Sequence, residues 1–219
     1  MSSSIAALPT RWLQARTLAA RIRVFVLIAA CVAALSGCVD VDAHVSLRDD
    51  GSGDIDLVYR IEATAYETAV FGTGSSRRAV PVTRADFDDA ASQLPGLTVR
   101  SHRIATEDGS VVVRVRLSFA DHQTIIGLLG SDSVSIEQTG PTGTWRQIVA
   151  PANPVEPATI GALLEALEPY RLSLRLTPGH SIEASTPGSV ASDRRTAEYS
   201  VSLADIAAPA VDLVWTVTW

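Results

Sequence analysis

Apolar and polar residues alternate along most of the chain that follows residue 38. The pattern is clearest over residues 39–47 and 55–61, where nearly every second residue is apolar. A period of two indicates β-strands with one buried face. The two runs are joined by Asp-Asp-Gly-Ser-Gly at residues 49–53, and glycine supplies the positive φ angles that a tight reversal needs. This part of the chain is therefore predicted to form a β-hairpin.

The same loop resembles a calcium-binding loop, because acidic and hydroxyl residues surround its two glycines. If Gly53 takes the sixth position of an EF-hand loop, Ile55 takes the eighth, as such loops require. However, Arg48 then falls at the first position and Tyr59 at the twelfth, where an acid and a bidentate Glu belong. The flanking segments are also strands rather than helices. We interpret the loop as a turn and predict that it does not bind calcium.

The remaining chain repeats this order of hairpins and helices. Helices are predicted over residues 63–70, from the capping residue Thr83, after Asp121 and from Thr159, with a loop over residues 71–82. Strands are predicted over residues 97–106, 111–119, 133–138, 144–149, 170–177, 181–185, 196–203 and 211–219. The expected fold class is α+β: a strongly bent antiparallel sheet, with closure into a barrel left open, built from hairpins with a few helices packed on one side.

The N-terminal residues 1–37 have the composition of an export signal. They contain no Asp or Glu, four arginines and an apolar run over residues 24–35. That run is shorter than the ~20 residues of a membrane span, although an uncleaved anchor helix is an alternative. It is followed by Ser36-Gly37-Cys38, and Leu35–Cys38 resembles the bacterial lipobox. We predict a lipoprotein signal peptide and lipidation of Cys38.

This lipobox resemblance implies that Cys38 carries a diacylglycerol and usually a further acyl chain. Two or more chains anchor a protein stably, whereas one does so only marginally. The expected location is the cell envelope, at the outer face of the cytoplasmic membrane. Cys31 lies within the discarded signal, so the mature chain has no partner for a disulfide.

Residues 38–219 are predicted to form a single exported domain, and the proline-rich segment 150–157 leaves a subdivision open. Removal of the four signal arginines leaves 14 basic against 24 acidic residues. An acidic body argues against nucleic acid as a partner and against general attraction to anionic lipid.

Short motifs at both ends of the mature chain resemble a known family. A Val-Asp strand and an Asp-Gly-Ser-Gly hairpin follow Cys38 directly. Leu-Arg-Leu-Thr-Pro-Gly-His stands at residues 174–180 and Ser-Thr-Pro-Gly at residues 185–188, before a strand at Thr196. This arrangement resembles the LppM-type lipoproteins of mycobacteria and their relatives. The resemblance implies an envelope-anchored α+β domain associated with lipid or glycolipid binding, with no catalytic residues to transfer. Members often end in a hydrophobic helix, and this chain departs from that pattern.

No motif of catalysis or cofactor binding is present in the sequence. It lacks a Gly-x-Ser-x-Gly elbow, a P-loop, a Rossmann fingerprint and a free cysteine nucleophile. None of the four histidines has a second His or Cys at a metal-ligand spacing, so no metal site is predicted. We therefore predict no catalytic residues, no cofactor and a non-enzymatic role.

Arginines on the second hairpin are the remaining unusual feature. If Thr106 lies opposite Val111, Arg103 faces Arg114 directly, and like charges in that position destabilise a sheet unless acids or a register shift relieve them. Arg77 and Arg78 lie in the loop over residues 71–82. A solvated sheet face is the simpler interpretation, and an anion site is the functional one.

Three classes of function are compatible with these features. The preferred one is a module that binds an amphipathic lipid or glycolipid, with Arg77, Arg78, Arg103 and Arg114 as candidate headgroup contacts. The alternatives are a scaffold for another envelope protein and a hydrolase with an unrecognised site. A large apolar cavity would favour the first, and a filled core with an exposed sheet edge the second. Clustered groups with shifted pKa values would favour the third.

Overall fold

A computed structural model describes residues 39–63, 66, 81–153 and 157–219. About half of these residues lie in two β-sheets, and four helices accompany them. The α+β class is therefore confirmed, with sheet predominating. Among the described residues, no helix combines the length and the apolar character that crossing a membrane requires.

Sheet A has seven strands in the order β3-β4-β2-β1-β7-β10-β9. All neighbours are antiparallel except β1 and β7, which are parallel. The strands are β1 (Val39–Leu47), β2 (Gly53–Glu62), β3 (Leu97–Glu107), β4 (Ser110–Phe119), β7 (Arg171–Thr177), β9 (Ser189–Val190) and β10 (Ala197–Ser202).

Sheet B has four antiparallel strands in the order β5-β6-β11-β8. They are β5 (Val134–Thr139), β6 (Thr142–Ala150), β8 (Ala184–Thr186) and β11 (Leu213–Thr218). The prediction of one bent antiparallel sheet was therefore wrong in two respects: there are two sheets, and one pair is parallel. Neither sheet is closed, so a barrel is not formed by the described strands. Alternation marks strands and their faces, but it does not determine which strands pair.

The helices are α1 (Arg84–Gln93), α2 (His122–Leu129), α3 (Pro157–Leu167) and α4 (Leu203–Ala207). Thr83 caps α1 in a reciprocal capping box with Asp86, and Asp121 caps α2, as predicted. The predicted helix over residues 63–70 and the loop over residues 71–82 lie largely outside the described residues. The short helix α4 was missed, because its residues were assigned in part to the preceding strand.

A single large core joins the inner faces of the two sheets. Sheet A contributes alternate residues of its strands, and sheet B contributes Trp145, Trp215 and Val217, which are at most 2% exposed. Across the interface, the rings of Tyr199 and Trp215 stack with centroids 6.3 Å apart. The opposite side of sheet A carries mainly polar and charged side chains, and we call it the outer face.

Candidate functional site

The outer face of sheet A brings four arginines together, and we call them the arginine patch: Arg60, Arg103, Arg114 and Arg116. The observed register pairs Thr106 with Val111 and Arg103 with Arg114, which is one of the two registers that the sequence left open. Arg60 lies in the neighbouring strand β2, opposite Val112 of β4. It is two residues beyond Val58, which is the partner of Arg114. The sheet thus places the predicted residues Arg103 and Arg114 side by side.

Acids neutralise part of the arginine patch. Both Arg114 amino groups donate to the Glu107 carboxylate, at 2.7 and 2.8 Å. These hydrogen bonds hold the pKa of Glu107 below its usual value. Arg116 makes a similar fork with Asp56, at 2.6 and 3.1 Å. The Arg103 side chain makes no hydrogen bond or ion pair with the described residues, so its guanidinium is available to a ligand.

The other three predicted site residues, Cys38, Arg77 and Arg78, lie outside the described residues. Their predicted roles remain predictions. The interior next to the arginine patch is filled by branched and aromatic side chains. Arg103 and Arg114 consequently lie on an exposed sheet face, and the cavity rim at which they were expected is not formed there.

The described chain has two open grooves, and most of the residues that line each of them are polar or charged. One groove, of about 590 Å³, crosses β1, β7 and β10 on the outer face. Its charged residues are Asp42, Arg175 and Glu198, and serine hydroxyls lie between them. A second groove, of about 410 Å³, lies near the β1–β2 turn and is lined by Arg48 and Arg100 among others.

Arg100 occupies a β-bulge at the edge of the second groove. The register of β3 against β4 shifts between Val99 and Ser101, which makes Arg100 the extra residue. Its Nε donates to the hydroxyl of the largely buried Ser118 at 2.8 Å. Bulges commonly re-aim a side chain in this way. The sequence placed Arg100 among the arginines of the second hairpin, but it did not predict the bulge, because a bulge leaves no periodic signal.

His44 lies in a row of charged residues that crosses the middle of sheet A. The register places Asp56 on one side of it and Arg175 on the other, with Glu198 beyond. His44 Nε2 is 2.9 Å from the hydroxyl of Thr177. Burial, followed by the charge of Arg175, lowers the pKa of His44, although Asp56 and Glu198 oppose this. The ring is thus held in its neutral form at neutral pH.

The Asp-rich loop of the first hairpin uses its carboxylates within the protein. Asp54 pairs with Arg48, and Asp50 Oδ1 accepts a hydrogen bond from the Ser52 backbone N–H at 2.9 Å. Asp49 Oδ1 lies 3.1 Å from His180 Nε2. Within the described ranges, no group of three or more His, Cys, Asp or Glu residues could hold a metal ion. This arrangement is that of a turn stabilised by its own side chains.

Two of the motifs that carried the family resemblance, the first hairpin and the segment at residues 174–180, meet at this loop. The Pro178–Gly179 turn is so close to Asp49 that a β-carbon at Gly179 would overlap its carboxylate. The parallel pairing of β1 with β7 brings both motifs to the same end of sheet A. Their separation in sequence concealed this contact.

A comparison with solved structures finds a similar fold in the folded domain of LppM from Mycobacterium tuberculosis, determined by NMR. The match has a TM-score of 0.50 and covers 84% of this chain and 90% of that chain. The fold is LppM-like. This confirms the fold that the short motifs suggested, at a sequence identity of only 10%, which establishes the fold alone. No family model matches the sequence of this LppM-like chain, and no curated protein does either.

Proposed function

We propose that this chain is a lipid-anchored protein of the cell envelope, attached through Cys38 to the outer face of the cytoplasmic membrane. We propose further that it is a non-enzymatic module that binds an amphipathic lipid or glycolipid with an anionic headgroup. The LppM-like fold supports the first part. The arginine patch supports the second, because it brings four arginines together on one face of a chain with more acidic than basic residues.

The headgroup would bind at Arg103 and Arg114. A guanidinium can donate two parallel hydrogen bonds to a phosphate or carboxylate, and such charge-assisted bonds are stronger than neutral ones. Arg103 is exposed and no acid of the described part of the chain is bonded to it, whereas Glu107 holds Arg114 in position. The acyl chains of the ligand remain in the bilayer, since the interior beside this face is packed.

Vesicle binding of a chain that starts at residue 38 and carries Cys38→Ser tests the ligand site without the anchor. Phosphatidylcholine vesicles with and without a minority of phosphatidylglycerol are compared. We expect Arg103→Gln to weaken binding to the anionic vesicles about 10-fold, the loss of one or two charge-assisted bonds, and added salt to weaken it further. Arg146→Gln, an exposed arginine on sheet B, is the matched control. Equal binding by the parent and Arg103→Gln would refute the site.

Metabolic labelling with an alkyne fatty acid tests the anchor. We expect Cys38→Ala to abolish the label, because this thiol stands at the lipobox boundary. Cys31→Ala is the matched control, since Cys31 lies in the segment that the peptidase removes. Undiminished label in Cys38→Ala would show that the anchor is wrong.

A scaffold that binds another envelope protein is the second candidate function. It is supported by the filled core and by the open edge of sheet A at β3, where Ile104 is 43% exposed. An edge strand presents unpaired backbone groups to which another strand can add. A photo-crosslinker at position 104 in the native host would capture one envelope protein if this candidate holds. It would capture lipid or nothing if the first candidate holds.

A further inference from the structure

The first strand leaves no spacer between the proposed anchor and the folded sheet. β1 begins at Val39, the residue after Cys38, and it lies between β2 and β7 inside sheet A. The inference below rests on the proposed anchor at Cys38. If that residue carries lipid, the end of sheet A at which β1 begins must lie close to the bilayer, because each residue extends the chain by at most about 3.6 Å.

Helices α3 and α4 lie at this same end of sheet A. The backbone N–H of Arg171, at the start of β7, donates to Asp40 Oδ1 at 3.0 Å. Arg171 is also paired with Ser202, the last residue of β10, and α4 begins at the next residue. We call α3, α4 and the following residues 208–212 the basal unit.

The basal unit has a small buried apolar centre of its own, and Leu172 and Ile206 pack against both this centre and the main core. Leu167, Leu203 and Ala204 form its buried centre, and neighbouring apolar side chains pack around them. The segment after α4 carries Val211, which is 69% exposed, the highest value among the large hydrophobic residues of the described chain. The exposed side of α3 includes the small residues Ala162 and Ala166. Apolar side chains that are exposed next to a lipid anchor can enter the boundary between the headgroups and the acyl chains.

We propose that the basal unit contacts the bilayer surface and fixes the orientation of the anchored domain. The unit contains no Lys or Arg, and its acids Glu165, Asp205 and Asp212 would oppose adsorption to an anionic surface. Tethering at Cys38 changes this balance, because it makes the contact intramolecular and raises its effective concentration. The contact is therefore a consequence of anchoring, and it needs no affinity of the free domain for membranes.

This orientation has two consequences for the candidate site. Arg60 lies opposite Asp40 of β1 on one side and opposite Val112 of β4 on the other. Arg114 is only two residues beyond Val112 in β4. Arg60, Arg103 and Arg114 are thus in the half of sheet A nearer the membrane, and Arg116 lies near its middle. The β1–β2 turn lies at the other end of β1, roughly 30 Å away at about 3.3 Å per residue, and it points away from the bilayer.

Fluorescence quenching in vesicles tests the contact with the full, acylated chain. The processed chain has no free thiol, so Val211→Cys and, on the β1–β2 turn, Asp50→Cys each introduce one labelling site. Both positions are exposed, which makes them a matched pair. The labelled proteins are reconstituted in phosphatidylcholine vesicles that contain doxyl-labelled phosphatidylcholine.

We expect the probe at Val211 to be quenched several-fold more strongly than the probe at Asp50. Mass spectrometry of the same samples reports the acyl chains on Cys38. Equal quenching at the two positions in an acylated protein would overturn the basal contact and leave the anchor intact. Absence of acyl mass would overturn the anchor, and this inference with it.

Discussion

Two glycines show how single residues of the same type differ in this fold. At Gly53 the ring of Phe119 and the backbone oxygen of Ser46 occupy the space that a β-carbon would need. At Gly161, within α3, no atom lies within 4 Å of that position. The sequence indicated a turn near Gly53. The contact of the Phe119 ring with Gly53, however, depends on the long-range pairing of β2 with β4.

Substitution by alanine should therefore act in opposite directions at these two glycines. We expect Gly53→Ala to lower the free energy of unfolding by about 2 kcal/mol, because overpacking forces neighbouring atoms to shift. We expect Gly161→Ala to raise it by about 0.5–1 kcal/mol, because alanine favours the helix. Urea unfolding of both variants measures the difference. A neutral Gly53→Ala would contradict the close packing of Phe119 over this turn.

His44 makes stability dependent on pH in a defined window. Its pKa is lowered in the folded protein, so the folded state binds fewer protons than the unfolded state. The stabilisation is complete above the unfolded pKa of about 6.5 and is lost as the pH falls from there through the lowered pKa. The carboxylates with lowered pKa values, such as Glu107, lose their contribution only in more acidic solution.

We accordingly expect the urea midpoint to fall between pH 7.5 and pH 5.5 in the parent protein. We expect His44→Gln to flatten this fall, because glutamine can still bond to Thr177 and does not titrate. The comparison of the two slopes is the measurement. Identical slopes would assign the effect to another group.

At the scale of single elements, local signals were predictive. The second hairpin turns at Asp108 and Gly109, both with positive φ, as a two-residue turn between twisted strands requires. That turn sets the register in which Arg103 lies directly opposite Arg114. Elements with weak local signals were missed, among them the two-residue strand β9 and the five-residue helix α4. Their positions depend on the strands and helices against which they pack.

The capping box of α1 gives a prediction at this scale. The Thr83 hydroxyl accepts a hydrogen bond from the Asp86 N–H, and the Asp86 carboxylate accepts one from the Thr83 N–H at 2.8 Å. We expect Thr83→Ala to lower the free energy of unfolding by about 1 kcal/mol. Ser92→Ala, near the other end of α1, is the control and should have little effect, because its hydroxyl only bonds back to the helix backbone. Equal effects of the two substitutions in urea unfolding would exclude the cap as the cause.

At the scale of the whole molecule, the pairing of distant strands could not be predicted. The period of two is the same in β6, which pairs with β11 in sheet B, and in β7, which pairs with β1 in sheet A. Either strand could bury its apolar face and expose its polar face in either sheet. The choice depends on how the tryptophans of β6 and β11 fill the space over sheet A, which is a property of the assembled core.

The shared core also determines how the molecule should unfold. The chain passes between the sheets around residues 150–157, where the sequence left a subdivision open. Val217 in sheet B is fully buried in the core that joins the sheets, whereas its neighbour Thr216 is half-buried.

We expect Val217→Ala to lower the free energy of unfolding by about 2 kcal/mol, because methyl groups are lost and a cavity is left. Because one core serves both sheets, native-state hydrogen exchange should show this loss equally at amides of β4 in sheet A and of β6 in sheet B. Thr216→Ala is the control for a change in β11 outside the core. A loss confined to β6 would mean that the two sheets open separately and that the chain divides near residues 150–157.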